Sequence, residues 1–120
     1  MKIFVSAQGN ELESPASEIF GRAPLYVCVE SDTMKAESYA NPAIKAQSGA
    51  GIEAAQWLID HGAQAVISAN IGPKALRVFK EAGIPVYHGQ KGSVRENIEL
   101  WKSGKLQQLN QASTAAHSGI

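Results

Sequence analysis

The sequence predicts an α/β domain built on a mixed five-stranded sheet flanked by helices. Three observations carry this expectation. Strand-like runs come early, at Lys2–Ala7, Ala23–Glu30 and, in more polar form, Thr33–Tyr39. From Gly51 onward, segments with helical period alternate with short apolar runs. Glycines stand just past the helical segments, at Gly62, Gly83 and Gly104. A leading meander followed by βαβ crossovers gives a mixed sheet with helices on its faces.

Each element has its own signal. KIFVSA (Lys2–Ala7) reads as a strand, and Ala7-Gln8-Gly9-Asn10 breaks it. Glu11–Ser17 is polar loop. APLYVCVE (Ala23–Glu30) is rich in β-branched and aromatic residues. Ser31-Asp32 supplies turn chemistry before the third strand, and a loop runs from Asn41-Pro42 to Ser48. Gly51–His61 places Ile52, Ala55, Leu58 and Ile59 at helical spacing, with Gly62 as its stop. Ala63–Ser68 is almost wholly apolar, as expected of a strand covered on both faces. Pro73–Ala82 is a helix with proline in its first turn, where the missing N–H costs nothing, and Gly83 as cap. Ile84–Tyr87 is the last strand. Ser93 and Glu96 form a capping box opening the helix Val94–Lys102. From Lys105 to Ile120 the periodicity is lost, and a loose tail is expected.

Composition bounds the function. The 120 residues suit one domain with a core of its own. Eleven basic and eleven acidic residues cancel, so no global charge favours nucleic acid or an anionic membrane. The one cysteine, Cys28, rules out an internal disulfide or an all-thiolate metal cage within the chain. Flanked by Val27 and Val29, it reads as a buried small hydrophobe. The N-terminal apolar run is too short for a signal core or a membrane span. A soluble cytoplasmic protein is expected.

Three places could carry chemistry. Gly49-Ala50-Gly51-Ile52-Glu53-Ala54 matches G-x-G-x-x-A, but no strand precedes it and no ribose anchor follows. Its glycines at a helix start still leave N–H groups that suit an anion. Asn70-Ile71-Gly72-Pro73 makes a second such start. With Lys2–Ala7 and Ala63–Ser68 as parallel neighbours, the exits Ala7–Asn10 and Asn70–Pro73 share one rim with Gly49–Gly51, where α/β proteins bind ligands. Against this, such joints need small residues in any α/β protein. Third, Arg22 beside Phe20 and Gly21 offers a guanidinium fork to an oxyanion or thioanion. Among the histidines, His61 reads as structural in a last helical turn, His117 lies in the tail, and His88 falls near the rim as a candidate single metal ligand. No HExxH or CxxC is present. Element order resembles the ribonuclease H-like architecture, but KIFVSA and AVISA carry no acid, which excludes two-metal nuclease chemistry.

Three stretches in order, SEIFGRAPLYVCVE, SGAGIEAAQWLIDHGAQAVISANIGPKALRVFKEAGIPVYHG and GSVRENIELWKSGKLQQL, resemble the dinitrogenase iron–molybdenum cofactor biosynthesis family. The likeness runs from Met1 to about Leu109, so residues 1–109 are expected as one domain and 110–120 as a flexible tail. It implies a ribonuclease H-like fold without nuclease chemistry, and proteins that bind or carry metal–sulfur cofactors. One branch, the orange proteins, is associated with a molybdenum–copper sulfide cluster. By this resemblance Gly21, Arg22, Gly49, Gly51 and Asn70-Ile71-Gly72-Pro73 fall at family motif positions. The tail QASTAAHSGI has only His117, and Asn70 replaces a family glycine. The implied cargo is a molybdenum–copper sulfide or iron–molybdenum-type cluster held without covalent bonds. Helix starts at Gly49–Gly51 and Gly72–Lys74 would donate N–H groups, Arg22 and Lys74 charge, and Phe20 and Ile71 apolar contact. Gly72→Val is then expected to abolish binding in a folded chain. A protein partner for cofactor transfer or complex assembly is implied.

Two other classes remain open. An enzyme acting on a small phosphorylated molecule could use the same rim, though no general base with a partner stands out. A ligand-free interaction module could anchor a partner through Trp101 and Tyr39, although Trp57 and Trp101 read better as core-facing residues.

Overall fold

Ile3-Phe4-Val5 has no polar face, so this strand must lie between two layers. It does so in the computed structural model, which describes residues 1–46 and 48–110. Strands β1 (Lys2–Ala7), β2 (Leu25–Glu30), β3 (Ala36–Ala40), β4 (Ala65–Ser68) and β5 (Val86–His88) form one sheet in the order β3-β2-β1-β4-β5. β1 pairs antiparallel with β2 and β2 with β3. β4 lies parallel to β1, with Val5 opposite Ile67, and β5 parallel to β4, with Ser68 opposite His88. The mixed sheet is therefore the one the sequence predicts.

Helices α1 (Ala50–Asp60) and α2 (Pro73–Glu81) cover one face, and α3 (Val94–Lys102) covers the other. The alternation along β1 divides the core. Phe4 joins Tyr26, Val66, Leu58, Leu76 and Phe79 on the α1/α2 side. Ile3 and Val5 join Val27, Ile67, Val94 and Ile98 on the α3 side. The capping box is present in full: Ser93 Oγ accepts from Glu96 N, and the Glu96 carboxylate accepts from Ser93 N. Among the described residues no helix is long and apolar enough to cross a membrane.

The boundaries differ from expectation for local reasons. β2 starts at Leu25 rather than Ala23, because Pro24 has no N–H to give a ladder. β3 starts at Ala36 because residues 31–35 are spent on the turn, where Met34 takes φ +60° and donates its N–H to Glu30 O. β5 starts at Val86 because Pro85 cannot donate and Ile84 N–H bonds back to Phe79 O at the end of α2.

The chain from Lys105 to Asn110 is not loose, which corrects the tail expected from Lys105 onward. Leu106 is buried against the α3-side core, His88 N–H donates to Gln107 O at 2.8 Å, and Leu109 N–H donates to Val86 O at 2.7 Å. This segment covers the β5 edge that would otherwise stand open. His117 and residues 111–120 lie outside the described residues. Cys28 is half-buried rather than buried, and burial pushes its thiol pKa up, which disfavours the thiolate a metal would need. Trp57 and Trp101 both pack against the cores. Trp57 stacks on His61 with ring centroids 3.7 Å apart, and Trp101 meets Tyr87 edge-on. His61 Nδ1 lies 2.7 Å from Trp57 O, so this histidine finishes α1 as a structural residue.

Candidate functional site

Parallel β1, β4 and β5 deliver their carboxyl ends to one rim. Two walls rise there. The segment after β1 loops out and returns across the strand ends, held by backbone hydrogen bonds and by the Asn70 amide, whose Nδ2 donates to Glu18 O at 2.9 Å. Gln8 N–H donates to Pro15 O, Ser17 N–H to Ser6 O and Ala16 N–H to Gly92 O, each at 2.8 Å, and Phe20 N–H donates to Asn70 O at 2.9 Å. The opposite wall is Gly89–Lys91. Asn97 of α3, 0% exposed, holds it from behind. Its Oδ1 accepts from Gln90 N at 2.8 Å, and its Nδ2 donates to Gln90 O and Ser93 O, both at 3.0 Å. Gly89 lies so close to this brace that a Cβ would stand 3.1 Å from Ile67 Cγ2 and 3.3 Å from Asn97 Oδ1.

Between the walls is a cleft of about 410 Å³ lined by Ser6, Ser17, Ser68, Asn70, His88 and Lys91 among others. A second, more open lobe of about 610 Å³ adjoins it, shares Ser17, Glu18 and Lys91, and adds Arg22. The walls are tied into the sheet and α3 by backbone bonds, so the cleft is preorganised. The His88 Nδ1 atom is buried and has no hydrogen-bond partner among the described residues. Arg22 and Lys91 are exposed at the mouth and make no ion pair among the described residues, while Glu13 nearby is paired with Arg95. Among the described residues no group of three or more His, Cys, Asp or Glu could hold a metal ion. The cleft and its outer lobe thus present hydroxyls, an imidazole, the cations Arg22 and Lys91 and the carboxylates Glu13, Glu18 and Glu96.

The residues singled out from sequence divide into two groups. Asn70 and His88 line the inner cleft and Arg22 the outer lobe. Phe20, Gly21, Gly49, Gly51, Ile71, Gly72, Pro73 and Lys74 line neither. Phe20 and Ile71 are 0% exposed in the α1/α2-side core. Gly21 and Gly51 face one another: a Cβ on Gly21 would stand 3.2 Å from both Cα and N of Gly51. These glycines let the turn Phe20–Arg22 seat on α1, backbone against backbone. Gly49 takes φ +73° as the residue before α1, which explains a glycine there without a ligand. Gly72 is buried at the start of α2 in an extended conformation, φ −77°, and Pro73 follows at the first helical position. Lys74 is exposed on α2, away from the cleft. Gly21→Val is accordingly expected to destabilise the fold by about 1–3 kcal/mol through overpacking, measured by urea denaturation. An unchanged midpoint would show that the turn and α1 are not in contact.

Residues missed from sequence include Ser6, Ser17, Ser68, Gly89, Lys91 and Asn97. A signal existed for two of them. KIFVSA and AVIS each turn polar at a serine on the carboxyl side of an otherwise apolar strand, where a core position would favour an aliphatic residue.

The fold and cleft together define a small mixed-sheet α/β protein with a preorganised ligand-sized cleft at its carboxyl rim. The chain belongs to the dinitrogenase iron-molybdenum cofactor family, which matches residues 1–104. It is 36% identical over 112 residues to an uncharacterized protein of Methanocaldococcus jannaschii, covering 91% of this chain and 92% of that one. Among solved structures it is similar to the apo form of the orange protein from Desulfovibrio gigas. That match has a TM-score of 0.90 and 32% identity, over 94% of this chain and 96% of the other. A NifB-like Thermotoga protein of the DUF35 family matches with a TM-score of 0.82 and 27% identity, over 94% and 97% of the two chains. These relations place the chain in a cofactor-related role.

Proposed function

We propose that this protein is a carrier rather than a catalyst, and that it holds a molybdenum-containing metal–sulfur cluster without covalent bonds for assembly, storage or delivery. The observation that carries the reading is the preorganised cleft lined by His88, whose buried Nδ1 has no partner among the described residues. Buried polar atoms without partners are rare and call for an explanation. A ligand that supplies the partner is one. The cargo is of the molybdenum–copper sulfide or iron–molybdenum type, in keeping with the family and the orange-protein likeness. His88 meets it as hydrogen-bond donor or single metal ligand, Asn70, whose carbonyl and Nδ2 hold Phe20 and Glu18, fixes the cleft wall beside it, and Arg22 and Lys91 balance its charge from the mouth. Phe20, Gly21, Gly49, Gly51, Ile71, Gly72, Pro73 and Lys74 serve this site indirectly, by shaping the segments that frame it. The strand order, with an antiparallel meander joined to parallel β4 and β5, supports a ribonuclease H-like architecture. Residues 1–109 act as one cytoplasmic domain followed by a tail, and a protein partner receives or supplies the cluster.

The test is to incubate the purified protein anaerobically with tetrathiomolybdate, with and without copper, then desalt it and record metal content and visible spectrum. A coloured protein with a fixed metal ratio is expected, and His88→Ala is expected to lose about ten-fold in retention with little change in Tm. A colourless, metal-free parent protein contradicts the carrier reading.

A further inference from the structure

We propose that Ser6, Ser17 and Ser68, with His88, form a neutral polar floor that takes the sulfide end of the cargo, and that the fold keeps these hydroxyls at a cost in stability. This rests on the carrier reading above. The three serines converge from three separate segments: Ser6 from β1, Ser68 from β4 and Ser17 from the crossing segment. They are 1%, 2% and 4% exposed. The protein itself uses their hydroxyls poorly. Ser6 Oγ donates to Ser68 Oγ at 3.2 Å and Ser68 Oγ to Asn70 O at 3.3 Å, both beyond the usual O–H···O range of about 2.5–3.0 Å. His88 Nδ1 is buried without a partner among the described residues, whereas the Ser17 hydroxyl, on a residue 4% exposed, stays open to water at the cleft.

A buried polar atom left without a good partner weakens a fold, whereas alanine at the same place would not. The arrangement makes sense when a ligand completes it. The ligand class follows from what the floor lacks. It has no buried charge, because Arg22 and Lys91 stand exposed at the mouth. A compact, strongly hydrated oxyanion would lose more hydration here than neutral hydroxyls return. An anion with its charge spread over several sulfurs loses less. The floor thus selects a thioanion over the corresponding oxoanion.

The experiment uses the full chain with Ser6→Ala, Ser17→Ala and Ser68→Ala, singly and together. Tetrathiomolybdate with copper is the probe. Metal retained after desalting and the Tm of the unloaded protein are both read. The expected result is a Tm equal to or above that of the parent, with retention falling about ten-fold or more in the triple variant. Excess molybdate is expected not to displace the probe. If the parent retains the probe and the serine variants retain it equally, the floor is overturned while the carrier reading stands. Displacement by molybdate as effective as by tetrathiomolybdate also overturns the floor. If the parent retains no probe, both fall.

Discussion

Phe20→Ala is expected to lower the stability of the protein by about 3–5 kcal/mol. The ring is 0% exposed and is enclosed by aromatic neighbours, Tyr26 at 5.2 Å and Phe79 at 5.4 Å between centroids. Truncation removes apolar contact and opens a cavity that the flanking sheet and α2 cannot fill without shifting. The backbone of the same residue is also committed. Its N–H donates to Asn70 O, and its carbonyl accepts from the Tyr26 hydroxyl, whose pKa burial drives up. Movement of Phe20 would therefore be felt at Asn70, on the cleft. Phe20→Leu is expected to cost less and to leave cluster retention close to that of the parent. Loss of retention in Phe20→Ala with an unchanged denaturation midpoint would show instead that the ring touches the cargo.

Asn97→Ala is expected to cost about 2–4 kcal/mol and to weaken the cleft as well as the fold. Three side-chain hydrogen bonds vanish together, and Gln90 N and Gln90 O lose this partner in a part-buried setting, while Ser93 O keeps the backbone N–H of residue 97. Asn97→Asp fares no better. It keeps the acceptor for Gln90 N but turns an oxygen toward two carbonyls and buries a carboxylate. Urea denaturation measures the first effect, and metal retention at a temperature where the variant is folded measures the second. A variant with parental stability would mean that the Gly89–Lys91 wall holds its shape without the brace.

Much of this architecture was legible because periodicity and punctuation agree. Ser93 with Glu96 marked the start of α3, and proline at the head of α2 marked a helix start at the same residue. The apolar run Ala63–Ser68 marked a strand buried on both faces, which the structure has at Ala65–Ser68. The starts of β2, β3 and β5 were misplaced where a backbone donor was missing or diverted, at Pro24, Pro85 and the Met34 turn. The site was only half legible. The parallel strands pointed to the rim where the cleft lies, and Asn70, His88 and Arg22 line its two lobes. The glycines were ambiguous because close packing and ligand approach both demand a missing side chain. Only the structure shows Gly21 pressed on Gly51. Asn97 was invisible for a different reason: nothing local in VRENIELWK says that its amide reaches back to Gln90 rather than into solvent.

The central claim is that the cargo sits in the cleft between the crossing segment and the Gly89–Lys91 wall. Amide chemical shifts recorded by NMR, before and after anaerobic loading with tetrathiomolybdate and copper, test it most directly. The largest changes are expected on Ser17, Glu18, Ala69, Asn70 and His88–Lys91. Changes confined to Gly49–Gly51 and Gly72–Lys74, with the cleft residues unmoved, would contradict it and would return the site to the two helix starts.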